Sequence, residues 1–448
     1  MPAGWEPEVT SRPLTNACAG IAFGACLCAA GLALANPLKD ELRGLLVSHP
    51  DILAAEKAVG SSREGVSQIR AEYLPRVKLT GDTGHQNLDG PSQRAAPGGE
   101  PYARMRDSAT LTITQNLFNG FSTTTGVQIA ELNAEIARVS LEGTRQNTLL
   151  EGIRTYLSVM RQRRLIELAA SNEGNIQTQL NLEDERVQRG AGIAVDVLQA
   201  KSRLQIAKER RVTFEGGLED AISRYVRVFN HAPDLDEMND PPAPVQLIPE
   251  SLERALDVAL DANPAVVNSM ASVAVAREQK DRTLSEYMPS VDLVGKWNLE
   301  KNVDALVGVK RDYQVLLQAS WDLFSGLTTS SKTTQAAYDY GAKKDVQELT
   351  ARRVVEQARV SWQALLTARQ RVELLENAVN IAAEVFDARQ KLREAGKETV
   401  INVLDAENEI FNARINFVQA SYDEQIAIFQ LLLAMGQLNA DLLGVDEG

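Results

Sequence analysis

Apolar and polar positions along the chain change their period in a fixed order, and the order occurs twice. Residues around 38–74 and 250–287 space their apolar side chains as helices do. After each stretch ends in a Y-x-P triplet, the period drops to two, the signature of a half-buried strand. In Val291–Glu300, Val291, Leu293, Gly295, Trp297 and Leu299 alternate with Asp292, Val294, Lys296, Asn298 and Glu300. In Asp312–Asp322, Tyr313, Val315, Leu317, Ala319 and Trp321 alternate with Gln314, Leu316, Gln318, Ser320 and Asp322, and Val77–Thr83 and Ala109–Thr114 show the same period more weakly. These stretches predict two hairpins, with strands of about 9–11 residues, the length a tilted strand needs to cross a bilayer. A soluble sheet with one buried face is the competing reading of the same alternation.

Very long helices follow. Neither 121–189 nor 327–395 contains a proline. At 1.5 Å per residue each is roughly 100 Å long, and apolar stripes of that length must be buried against one another, as in coiled coils. A second helix is predicted after each glycine turn, over about 193–230 and 398–442.

The matching order is an internal duplication. Tyr73-Leu74-Pro75 recurs 214 residues on as Tyr287-Met288-Pro289, and His49-Pro50 recurs at the same interval as Asn263-Pro264. Leu117-Phe118-Asn119-Gly120 recurs 206 residues on as Leu323-Phe324-Ser325-Gly326, as does Val195–Ala200 as Ile401–Ala406. The first copy spans 36–239, the second 250–442, with a Pro-rich linker at 240–249 and a short tail at 443–448.

Arg12 precedes the apolar run Ala17–Ala35, which ends in Ala33-Leu34-Ala35. That pattern predicts a secretory signal over 1–35, with a short membrane anchor as the alternative. All three cysteines lie within it, so no thiolate site is expected in the mature chain. A net charge of −13 speaks against nucleic acid, whose phosphates are bound by Lys and Arg. The three histidines are scattered, and neither catalytic, metal nor cofactor residues are expected.

Four strands cannot close a barrel, and open strand edges are not tolerated in lipid. Membrane strands would therefore need other copies of the chain, and three copies supply twelve. The signal, the duplication, Y-x-P, LFxG, and the glycine turns before Val195-Asp196-Val197-Leu198 and Ile401-Asn402-Val403-Leu404-Asp405-Ala406 together resemble the TolC family of outer-membrane factors. The resemblance implies an α+β, mostly α fold: a trimeric twelve-stranded outer-membrane barrel continued by a long helical barrel across the periplasm. It implies a homotrimeric exit duct set in outer-membrane lipid. A periplasmic adaptor (membrane fusion) protein and an inner-membrane transporter of ABC type would be its partners. Type I protein secretion is the preferred use, and multidrug or small-molecule efflux the alternative. A periplasmic coiled-coil scaffold is the reading from another class.

Site residues follow from the same resemblance. Two aspartates that line the family's closed aperture fall on Asn402 and Asp405. With Glu398 and Glu409 they share a polar stripe opposite Val400, Leu404, Phe411, Ile415, Val418 and Tyr422. Asp196 matches one latch partner and Arg393 stands at the facing position, so an Asp196–Arg393 ion pair is expected. The adaptor-docking turns fall on Gly190, Ala191, Gly396 and Lys397. The cluster Lys201, Arg203, Lys208, Arg210 and Arg211 reads as a solvated face. Loops around 85–105 and 301–310 are expected at the outer surface, with Trp297, Tyr313 and Trp321 as aromatic-girdle candidates.

Overall fold

The computed structural model of the chain describes residues 37–95, 97–190 and 192–444. The leader expected over 1–35 lies outside the described residues, as does Ala191 of the first docking turn.

In the first half, α1 (Pro37–Ser48) and α2 (Pro50–Arg70) lead into β1 (Arg76–Leu88), a short α3 (Pro91–Arg94) and β2 (Tyr102–Asn119). Two long helices follow, α4 (Ser122–Gln188) and α5 (Ala194–Phe229). In the second half, α6 (Leu252–Ala262), α7 (Pro264–Thr283), β3 (Ser290–Lys301), β4 (Val309–Ser320), α8 (Thr328–Glu394) and α9 (Val400–Ala434) repeat that order, and a short α10 (Ala440–Leu443) ends it.

Local chemistry explains the recurring motifs. His49 caps α2 through Nδ1, which accepts from the Asp51 N–H, and Asn263 caps α7 through Oδ1, which accepts from the Ala265 N–H at 2.9 Å. The proline that follows each cap sits at the first helical position, where no amide hydrogen is needed. These caps divide what the periodicity suggested were single helical stretches. The LFxG motif also has a geometric reason. Gly120 takes φ +65° and Phe121 φ +67°, and a Cβ at Gly120 would meet the Ser285 carbonyl oxygen at 2.6 Å. Two left-handed residues in a row turn each strand into its long helix. The turn is then pinned alike in both halves, because Thr123 donates to Glu72 at 3.0 Å and Thr329 to Glu286 at 3.4 Å.

The strands form one antiparallel sheet in the order β1-β2-β3-β4, so the two predicted hairpins join through β2 and β3. They run 12 to 18 residues, longer than the periodicity suggested, because β1 and β2 extend into the stretch expected to be loop. The α9 helix is shorter than expected. It ends at Ala434 because Gly436 turns at φ +71°, with its α-carbon packed on Ala262 and Asn263, where a side chain would collide.

Two apolar clusters hold the helices. The larger centres on Leu45, Leu149, Ile153, Tyr156, Tyr225 and Leu431, where α1, α5 and α9 pack on the middle of α4. The smaller lies near the far end of the hairpins: Ile176 and Leu180 on α4, Val197, Ala200, Leu204 and Ala207 on α5, Val400 and Leu404 on α9. Each fully buried aliphatic side chain of this kind contributes roughly 1.5–3 kcal/mol.

Candidate functional site

Two regions bear on function: the sheet and the tip of the helical hairpins. In the sheet, register puts Val77, Leu79, Leu111, Ile113, Leu293, Trp297, Tyr313, Val315 and Leu317 on one face. Most of these side chains are exposed, Tyr313 by 84%. The other face carries Lys78, Thr80, Asp82, Arg106, Thr110, Thr112, Lys296, Asn298, Asp312 and Gln314. Arg106 pairs with Asp82 at 2.7 Å there, and Asn298 donates to Asp312 at 2.9 Å. The apolar band of β3 runs from Val291 to Leu299, about 20 Å along a barrel axis at a strand tilt of about 40°. Water on both sides would disfavour so large an exposed apolar face, whereas lipid on one side accounts for it. The outer edges of β1 and β4 are unpaired within the chain. Among the described residues no single helix is long and apolar enough to cross a membrane. Trp297 and Tyr313 are register partners on the apolar face, while the Trp321 indole N–H donates to the Tyr287 carbonyl just beyond β4.

At the tip, α4 and α8 each stop at a glycine in the left-handed region, Gly190 at φ +77° and Gly396 at φ +73°. The Lys397 N–H bonds back to the Leu392 carbonyl at 2.9 Å, closing the second turn. Thr399 caps α9 by accepting from the Asn402 N–H. Glu398 accepts from the Thr399 N–H and from the Asn402 side-chain amide. Those bonds, Asn402 first and Thr399 second, hold the Glu398 carboxyl below its usual range, with Arg389 adding to the effect. The amide at position 402 therefore has a local role. It donates to Glu398, where an aspartate would face a like charge.

Asp405 is exposed, and its Oδ1 lies 2.6 Å from Arg203 Nη2 on α5. Glu409 is exposed on the same stripe, while Asn402 and Glu398 are half-buried. The expected Asp196–Arg393 pair is not formed within the chain. Arg393 donates instead to Glu183 on α4 at 2.5 Å and to the Glu398 carbonyl at 3.0 Å, and Asp196 forms no ion pair among the described residues. Glu183 is only 2% exposed, so it supplies the arginine with a fixed, desolvated partner. Arg203, Arg210 and Arg211 also depart from the reading of a solvated face. Arg210 donates to Asn408 and Asn412 and lies over the Phe411 ring, and Arg211 pairs with Glu173 at 2.7 Å.

Sequence reasoning passed over Glu183 and Glu407 and read Arg203 only as part of a solvated face. Glu407 carried a legible signal: it stands seven residues after Val400 and three after Leu404, on the apolar seam of α9. A carboxylate at such a position is out of place. Glu183 and Arg203 had no comparable mark, since their roles depend on what the other hairpin brings. Among the described residues no group of three or more His, Cys, Asp or Glu is placed to hold a metal ion.

Comparison with known proteins agrees with this architecture. The family model described as outer membrane efflux protein matches residues 42–224 and again 255–437, once in each half. The chain is 24% identical over 415 residues to the outer membrane efflux protein BepC of Brucella suis biovar 1 (strain 1330), covering 91% of this chain and 88% of that protein. It is 25% identical over 427 residues to the alkaline protease secretion protein AprF of Pseudomonas aeruginosa, covering 92% and 86%. Its fold is similar to that of the outer-membrane channel OprN, with a TM-score of 0.77 at 17% identity over 90% of each chain. With both halves matched, and in keeping with its likeness to the TolC family, the chain belongs to the outer membrane efflux protein family and is an outer-membrane protein.

Proposed function

We propose that three copies of this chain form the outer-membrane exit duct of a tripartite export system. Such a duct takes substrate from an inner-membrane transporter and a periplasmic adaptor and releases it outside. The observation that carries this reading is the four-stranded sheet, apolar on one face, polar on the other and open at both edges. Pairing β1 of one copy with β4 of the next satisfies every edge and encloses the polar face. The helices that continue from it, each of 67 residues, are then the wall of a periplasmic conduit. Such a duct holds and guides its cargo and needs no catalytic group.

Type I protein secretion, through a transporter of ABC type, is the use we favour. The similarity to AprF, named for alkaline protease secretion, supports it. The similarity to BepC, named as an efflux protein, keeps small-molecule efflux as the second reading. In this duct the hairpin tips form the periplasmic mouth, and the stripe of Glu398, Asn402, Asp405 and Glu409 faces its opening. The Arg203–Asp405 and Arg393–Glu183 pairs, each joining the first hairpin to the second, act as its latches. The turns at Gly190–Ala191 and Gly396–Lys397 are the docking points for the adaptor.

Cross-linking and membrane fractionation test the assembly, with an outer-membrane trimer expected; a soluble monomer would end the reading. Purification from native membranes tests the use. Recovery of an ABC-type transporter with its adaptor supports secretion, and recovery of a proton-driven efflux transporter overturns it in favour of efflux.

A further inference from the structure

Glu407 lies on α9 in the middle of the tip seam, between Val403 and Leu404 on one side and Ile410 and Phe411 on the other, all buried. It is 3% exposed, and no hydrogen bond reaches either carboxylate oxygen. This sets it apart from Glu183, the other deeply buried acid of the tip, which has Arg393 at 2.5 Å and Arg186 at 3.4 Å. The arginines on the surrounding elements are engaged elsewhere. On α5, Arg203 turns to Asp405, Arg210 to Asn408 and Asn412, and Arg211 to Glu173 of α4. On α8, Arg389 approaches Glu398, while Glu384 and Asp387 are exposed. On α4, the Asn175 amide bears on Glu407. It makes no hydrogen bond to either carboxylate oxygen. A buried carboxyl that no donor reaches is favoured in its neutral, protonated form, because the ionised form would be desolvated and uncompensated.

We propose that Glu407 is a proton-operated lock of the hairpin tip: protonated, it lets α9 pack on α4, and ionised, it loosens that contact. Burial pushes its carboxyl up to about 7, with Asn175 opposing more weakly. A group whose folded value is raised stabilises the packed tip fully below its unfolded value of 4.5, and that stability is lost as pH rises through about 7. The tip thus tightens in mild acid and slackens in mild alkali. The lock rests on the duct reading only for its effect on passage; the packing change is a property of the chain itself.

The test uses the protein purified from membranes, with Cys18, Cys26 and Cys28 replaced by Ser and a single reporter thiol introduced by Ile176→Cys at the buried α4 side of the same cluster. Maleimide labelling is followed from pH 5.5 to 8.5, with and without Glu407→Gln. The ratio of the two rates cancels the titration of the thiol. We expect this ratio to rise several-fold around pH 7, and a ratio that stays flat overturns the lock. Glu407→Met, similar in size and without a charge, replaces Gln if that variant folds poorly, with the same expectation. Single-channel conductance over the same range separates the two readings. A pH step lost in Glu407→Gln ties the lock to the gate. A labelling step without a conductance step keeps the lock and overturns the placement of the tip at the aperture.

Discussion

Arg203 on α5 places its Nη2 2.6 Å from Oδ1 of Asp405 on α9, tying the first hairpin to the second at the tip. The acid expected to line an aperture thus carries its own counter-ion. On the mouth proposed above, the two members of the pair are expected to have opposite effects on cations. Asp405→Ala is expected to enlarge single-channel conductance and weaken block by divalent cations, whereas Arg203→Ala, by freeing the carboxylate, strengthens the block. Both side chains are about half exposed, so a double-mutant cycle on stability is expected to give only about 0.2–1 kcal/mol of coupling.

The Arg393–Glu183 pair is of another kind, because Glu183 is buried. Arg393→Ala leaves that carboxylate with Arg186 alone, and breaking such a pair costs roughly 3 kcal/mol or more. Hydrogen exchange at the ends of α4 and α8 is expected to accelerate, while the sheet is unaffected. Replacing both partners, Glu183→Leu with Arg393→Met, is expected to recover most of the loss, since no buried charge is stranded.

Asn402 gives the simplest charge test at the mouth. Asn402→Asp removes the donor that lowers the Glu398 carboxyl and sets a like charge beside it. The Glu398 carboxyl is expected to titrate at higher pH, followed by NMR of labelled glutamate. Divalent block in bilayers is expected to deepen.

Val315 and Gln314 are neighbours on β4 that point to opposite faces of the sheet. Val315→Arg puts a charge in lipid, at a cost of about 2–4 kcal/mol if it lies near the midplane. The yield of membrane-assembled protein is expected to drop sharply. Gln314→Arg, on the polar face, is expected to assemble normally and change only ion selectivity.

Gly120 and Gly326 occupy equivalent turns, both at positive φ. A left-handed alanine costs about 1–2 kcal/mol at either place. At Gly120 the new Cβ also meets Ser285 O at 2.6 Å and Met288 Cβ at 2.9 Å, whereas the space at Gly326 is open. Urea unfolding is expected to show Gly120→Ala as the more damaging by a clear margin.

Much of this architecture is carried by local sequence. A period of two or 3.6, a proline after a capping residue, and two left-handed residues after a strand each act within a few positions. They place the strands, the breaks at His49 and Asn263 and the LFxG turns wherever the chain is read. The repeat spacing of motifs such as Val195–Ala200 and Ile401–Ala406 makes the duplication readable for the same reason. Other features depend on residues about 200 positions apart. Arg203 meets Asp405 and Arg393 meets Glu183 only because the two hairpins lie side by side, and neither side chain bears a local mark of its partner. Asp196 and Arg393 match by position, but within the chain Arg393 meets the buried Glu183 instead. Glu407 lies between these cases. Its place on an apolar seam is written in α9, but its isolation was decided in three dimensions, where neighbouring arginines turned to other partners. Sequence thus determines periodicity, turns and the repeat, because these act over a few bonds. Tertiary structure alone decides which charges are compensated, because compensation depends on distance through space and on exclusion of water.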